Sequence, residues 1–469
     1  MTMGARILLC LLIMGLASSG FAGNRGDDPV DGVVTETDDS GALLRRYSVN
    51  EAGQKHGDFE EFWPDGTTFI KATYEEDLLD GRELRYFPSG KRHMVVTWNR
   101  GVLSGRWERF FENGQRAITT SYKRGVQAGK YIQSSEDGKW VLTAKYRDGV
   151  LDGALKVKDH GRVISTQTWK AGVVLEIDDV QPFPRRQVDL LDQLAEVWGP
   201  GYGDHEGLSD EQVVEQTRAM ALRRLQAYRA LCHLHYKDME LLAKWNELCD
   251  AAAEVCRRLG TITHTPEQPP DTDDKLYKDG KKGAGNSNLA IGSTLPTSVD
   301  QYMDDSDASN IDRLGHRRWC LNPTMGRTGF GVSGRFSAMW SMDQSGKTPR
   351  DLDAVLFPPA GFVPVQMFGS HYAWSITPIG GSLPKEEDVK ITIQPLGDFY
   401  LPQGDPLAID YLHVDRGGFG AGETLIFRPK DLAVTAGRAY RCQVSLDGGK
   451  SLQYDQFIKF VSDPRLSRR

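Results

Sequence analysis

Gly81-Arg82-Glu83-Leu84-Arg85-Tyr86-Phe87-Pro88-Ser89-Gly90 is one copy of a pattern that recurs along the first part of the chain. Its opening glycine belongs to the series Gly57, Gly81, Gly105, Gly129 and Gly153, each 24 residues after the last. Its closing glycine belongs to Gly66, Gly90, Gly114, Gly138 and Gly161, which keep nearly the same step, and Tyr74, Trp98, Tyr122, Tyr146 and Trp169 hold the same phase. A fixed period of this length marks a repeat architecture. Pro64-Asp65-Gly66, Pro88-Ser89-Gly90, Asn113-Gly114 and Asp137-Gly138 supply the positive-φ positions of tight turns, so each unit is predicted to be one β-hairpin. Phe59, Phe62 and Trp63, then Leu84, Tyr86 and Phe87, then Trp107, Phe110 and Phe111 are apolar side chains that a lone hairpin cannot bury and stacked neighbours can.

The glycine-to-aromatic spacing of these units resembles MORN-type repeats, in the variant found in bacterial secreted and antitoxin-like proteins, and the array is expected over residues 45–178. No catalytic residue set recurs in it. It reads as a stable spacer, or as a binding face for a protein, peptidoglycan or a lipid head group. The period stops after Gly172, and Gln181-Pro182-Phe183-Pro184-Arg185-Arg186-Gln187 has the proline and charge of a connector.

Upstream, Arg6, the apolar run Ile7 to Leu16 and the small residues ending at Gly20-Phe21-Ala22 read as a secretory signal over residues 1–22. The run falls short of the ~20 residues that span a bilayer. Cys10 follows Ile7-Leu8-Leu9 and lacks the small residues that precede a lipid-modified cysteine. The expected location is outside the cell or in the periplasm. With 469 residues there is room for about three domains at the usual ~100–200 residues each. Charged residues at 26%, hydrophobic residues at 39% and a net charge of -7 argue against wholesale disorder and against a nucleic-acid-binding surface.

Downstream of the connector, Ser209 with Gln212 forms a capping box, and Val214, Thr217, Ala221, Leu225, Tyr228 and Cys232 follow at helical steps. A second stripe runs Leu242, Trp245, Cys249, Ala252, Cys256 and Leu259, with Gly260 placed to end the helix. Cys249 and Cys256 are separated by roughly 10 Å of helical rise and cannot bond each other. Each of them is a buried thiol, or is bonded across to Cys232 or Cys320. Cys442 completes an odd count of five after the signal, and no pair has C-x-x-C spacing, which argues against a structural zinc site.

Next come Thr261-Ile262-Thr263-His264-Thr265-Pro266, Gly285-Asn286-Ser287-Asn288-Leu289-Ala290, a short helix from Ser298, and Gly315-His316-Arg317-Arg318-Trp319-Cys320-Leu321-Asn322-Pro323. Strands are predicted at Thr328–Val332 and Phe336–Met342. The order of these elements over residues 190–345 is similar to the bacterial branch of the CAP superfamily, the cysteine-rich secretory, antigen and pathogenesis-related proteins. The resemblance implies an α-β-α sandwich with a cleft presenting two histidines and two acids, sometimes holding a divalent metal such as zinc. By motif, His264 and His316 match the histidines and are the tentative metal ligands, while Ser287 stands where the family acid is expected. Asp300, Asp304 and Asp305 lie in the stretch of the second acid. Two imidazoles without a carboxylate lack the charge that orients a metal or a catalytic water. Ser287 as a nucleophile lacks an elbow motif. The plainer alternatives are that His264 holds a turn or a helix end and that His316 anchors the turn from Trp319 to Pro323.

From residue 350 to 464, short alternating runs at Val363–Phe368, Tyr372–Ile376, Val389–Ile393, Thr424–Phe427 and Ala439–Leu446 predict an antiparallel, immunoglobulin-like β-sandwich with Cys442 in its core. Gly417-Gly418-Phe419-Gly420-Ala421-Gly422 is expected to be a flexible turn, since no helix with a lysine follows it. Three modules without a complete catalytic set point to a secreted binding or interaction protein at the cell envelope or outside the cell, with a protein, glycan or lipid as partner. The alternative is a secreted, metal-assisted peptidase or glycan-active hydrolase using His264 and His316.

Overall fold

The computed structural model describes residues 24–25, 32–199 and 209–466, so the expected signal at 1–22 lies outside the described residues. The chain divides into two compact units, 1–181 and 182–469.

In the first unit, strands from Val33–Thr37 to Val173–Ile177 pair antiparallel with their sequence neighbours in one large sheet. The register explains both periodic series. Gly57 lies directly opposite Tyr74, Gly81 opposite Trp98, Gly105 opposite Tyr122, Gly129 opposite Tyr146 and Gly153 opposite Trp169. These glycines hold φ between 88° and 123°, a region that favours glycine, and a Cβ on them would meet Ser48, Thr73, Thr97, Ser121 and Lys145 in turn. As far as Gly125 the turns alternate between two kinds. At Gly66, Trp63 N–H donates to Thr67 O and Gly66 N–H to Trp63 O, a three-residue turn closed by a left-handed glycine, as expected. The opposite ends of the hairpins are two-residue turns with both central residues at positive φ, such as Arg100-Gly101 and Arg124-Gly125, and their signal was not read in the sequence. Lys55 fills the place that Leu79, Leu103 and Leu151 take in later repeats. Its ammonium sits 5.1 to 5.4 Å from the rings of Tyr47, Phe59 and Tyr74.

The second unit opens with α1 (Gln187–Trp198) and α2 (Asp210–Leu231), the latter started by the expected Ser209–Gln212 capping box. There follow α3 (Ala243–Leu259), closed by left-handed Gly260, α4 (Asp274–Ala284), α5 (Leu295–Asp304) and α6 (Gly315–Cys320). The strands β1 (Ser287–Ile291), β2 (Phe330–Ser333) and β3 (Phe336–Trp340) form an antiparallel sheet with β3 in the middle. Three helices arise where none was predicted: α1 begins within the connector, α4 lies in the polar stretch after His264, and α6 carries the Gly-His-Arg motif. No helix among the described residues is long and apolar enough to cross a membrane.

The remaining strands are β4 (Ala354–Phe357), β5 (Gly361–Pro364), β6 (Trp374–Pro378), β7 (Lys390–Leu396), β8 (Ile409–Asp415), β9 (Thr424–Pro429), β10 (Ala439–Ser445) and β11 (Tyr454–Val461). They form two four-stranded sheets, in orders β4-β6-β9-β8 and β5-β11-β10-β7. One pairing departs from the expected antiparallel plan, because β5 runs parallel to β11. One apolar core runs through α1, α2, α5 and both sheets, joining Leu194, Tyr228, Val299, Trp374, Phe427 and Phe460.

Gly105→Ala sets a Cβ 3.1 Å from that of Thr97 on a backbone at φ 116°. We expect it to cost the repeat unit about 2 kcal/mol in a denaturant titration of the full chain. Gly418→Ala, which meets nothing within 4 Å, is the control that leaves stability unchanged.

Candidate functional site

The residues around His316 are positioned by a carboxylate at the end of α5. Asp305 leaves the helix in the left-handed conformation, φ 46°, and is buried. Its Oδ2 accepts the backbone N–H groups of His316 at 2.9 Å and Arg317 at 3.3 Å. These are among the unpaired donors of the first turn of α6, so Asp305 caps that helix from a distance. Its Oδ1 faces His316 Nδ1 at 2.7 Å. A carboxylate there fixes the proton on Nδ1 and leaves Nε2 as the imidazole's free acceptor. The His316 ring, about a quarter exposed, stacks on Tyr302 with centroids 5.6 Å apart.

The two arginines after His316 are consumed by the fold. Arg317 is fully buried and donates from Nε to Met303 O at 2.7 Å and from Nη1 to Ala373 O at 2.5 Å, with Nη2 on Asp304 O and Ser306 Oγ. Phe357 lies 4.7 Å from its guanidinium. Arg318 reaches the sandwich, where it meets Asp415, Gly417 O and Gly422 O. The glycine-rich turn thus receives Arg318, and a Cβ on Gly420 would stand 2.3 Å from Arg318 O. Arg229 of α2, also fully buried, donates to the carbonyls of His235, Cys320, Asn322 and Met325 at 2.8 to 3.0 Å, holding the Leu321-Asn322-Pro323 turn. Burial pulls both Arg229 and Arg317 down to about 10, which leaves them cationic at neutral pH. Such groups are tolerated only where every donor finds an acceptor.

His264 serves a different junction. Its Nδ1 is 2.9 Å from Ala284 O at the end of α4, and a carbonyl only accepts, so Nδ1–H donates and ties the loop to that helix. His316 meets β1 through its carbonyl, which accepts from Asn288 Nδ2 at 3.0 Å, whereas His264 is tied to Ala284, three residues before that strand. No hydrogen bond or ring contact joins the two histidines among the described residues. Ser287 is buried with Oγ 3.6 Å from Cys249 Sγ of α3, while Asn288, on the opposite face of the strand, meets His316 and Cys320. Ser287 therefore packs against a thiol, and among the described residues no hydrogen bond joins its Oγ to either imidazole.

Of the three aspartates in the expected stretch, Asp305 holds His316. Asp304 faces the exposed His371 at 2.8 Å, and Asp300 is buried on Arg224 and Tyr228, both at 2.9 Å. No group of three His, Cys, Asp or Glu side chains that could hold a metal ion occurs among the described residues. The five cysteines among the described residues are free and buried, which settles the open choice for Cys249 and Cys256 in favour of thiols.

Compared with known protein families and with curated proteins, the sequence matches none.

Two outcomes are expected. Asp305→Ala removes the cap of α6 and the partner of His316 together, and should cost about 3 kcal/mol in a denaturant titration. Burial pushes the thiols of Cys232, Cys249 and Cys442 up to about 12. At pH 8 only about one in ten thousand of each is thiolate, so peptide mapping should find them unalkylated by iodoacetamide until denaturant is added.

Proposed function

We propose that the chain is a secreted binding or interaction protein acting at the cell envelope or outside the cell. The MORN-like array is its binding face, and the CAP-like segment with the sandwich is a rigid platform. The observation that carries this reading is a row of exposed aliphatic side chains at the repeat period: Leu78, Val102, Val126, Val150 and Val173, 42% to 51% exposed. Each follows a two-residue turn, and successive members lie alongside the next turn glycine, Leu78 by Gly101 and Val102 by Gly125. An apolar row kept in register on a largely polar sheet is a surface for a partner. The CAP-like assignment draws support from helices packed on both faces of the β1–β3 sheet, α3 on one and α5 on the other.

The full chain should co-sediment with insoluble peptidoglycan or with phosphatidylglycerol vesicles. The variant Val102→Ser/Val126→Ser/Val150→Ser, folded by circular dichroism, should lose about tenfold of that binding. Wild-type chain that stays in the supernatant with both probes, or equal binding by the variant, would overturn the reading.

A secreted hydrolase is the second reading, favoured by the 2.7 Å approach of Asp305 to His316 Nδ1. The pair supplies an oriented imidazole with Nε2 available as a base. The metal-assisted form has no donor set among the described residues. Turnover of peptidoglycan fragments or peptides that disappears in His316→Gln and persists in His264→Gln is the result this reading requires.

A further inference from the structure

The repeat array is segregated by charge. Residues 51–80 carry nine Asp and Glu against two Lys, whereas residues 81–130 carry eleven Arg and Lys against three Glu. Two of those three, Glu83 and Glu108, are buried and already paired, with Arg85 and with Arg106 and Arg116. The segregation is positional as well as regional. The residue after each strand glycine is Asp58, then Arg82, Arg106 and Lys130, so one place in the repeat is acidic in the first copy and basic in the next three. Their register is equivalent: Asp58 lies opposite Thr73, Arg82 opposite Thr97 and Arg106 opposite Ser121. They therefore line one face of the sheet, about 10 Å apart, two strand spacings per repeat. Arg82, Arg106 and Lys130 are exposed, and among the described residues no hydrogen bond or ion pair holds the side chains of Asp58, Arg82 or Lys130.

We propose that this face binds a second copy of the chain, turned end for end. A surface that carries both signs at equivalent places complements itself under a two-fold rotation. The register that sets opposite charges together places the first repeat of each copy against the second repeat of the other. Asp58 then faces Arg82 of the second copy, and the contact occurs twice. Neighbouring repeats use this charge order within one chain, where Arg100 bridges Glu76 at 3.1 Å. The inference is independent of the aliphatic row, which is left unaltered in its test.

Sedimentation velocity of the full chain at about 1 to 100 µM tests it. At about 20 mM salt the chain should be a dimer, and at about 500 mM salt a monomer, because screening removes contacts between exposed charges. Arg82→Glu and Asp58→Arg alone should each weaken the dimer at least about tenfold. The doubly exchanged chain, Asp58→Arg with Arg82→Glu, should restore it, and so should an equimolar mixture of the two single variants. A wild-type chain that is monomeric at low salt overturns the proposal. So does a dimer unmoved by salt and by Arg82→Glu, or a doubly exchanged chain that stays monomeric while its circular dichroism is native.

Discussion

A guanidinium without a bulk-water shell needs acceptors to replace it, and the second unit is arranged around the acceptors gathered by Arg317 and Arg229. Arg317 lies where the end of α5, the start of α6 and the segment before β6 converge, and it gathers the carbonyls of Met303, Asp304 and Ala373. Arg229 does the same for the turn that leaves α6. Losing either would strand several carbonyls as well as one cation. The placement of His316 follows from this, because the carboxylate that orients its ring also caps the helix carrying Arg317. The site is therefore a by-product of a structural junction as much as a chemical device.

This bears on how much the sequence disclosed. Glycine and aromatic periodicity placed the repeats, since a 24-residue step requires no knowledge of distant partners. The capping box at Ser209 and the glycine at 260 were readable for the same reason, as local signals. What escaped was non-local. The helical stripe of α2 was read from its apolar members, yet its buried face also includes Arg218, Arg224 and Arg229. Several of their acceptors, on Asp300, Cys320, Asn322, Met325 and Phe330, lie 76 to 112 positions away, so nothing local marked these charges as buried. Likewise α6 was missed because its cap comes from Asp305, eleven residues before His316. The parallel pairing of β5 with β11 bridges nearly a hundred residues and leaves no local mark.

His264 and His316 drew notice because their motifs match the histidines of the resembled family, and His316 does sit on a carboxylate while His264 bonds the end of a helix. The acid, Asp305, lies in the stretch singled out together with Asp300 and Asp304, but which of the three turns toward His316 is decided by the left-handed backbone with which it ends α5, a conformation aspartate tolerates better than most. Ser287 drew attention by its place in a motif, and strand alternation then turned it toward Cys249.

The pairing of each strand glycine with the aromatic opposite carries a consequence for how the array can change over generations. Both members of the pair lie within one period, as do the two kinds of turn, so a unit needs nothing from a particular neighbour except another unit. Duplicating or excising a whole number of periods keeps every glycine opposite its aromatic and every side chain on its face. An insertion of any other length within a strand slides the ladder and turns the apolar members outward. Copy number is thus free to vary while phase is not, and the array can be lengthened or trimmed to fit a span with no redesign of its parts.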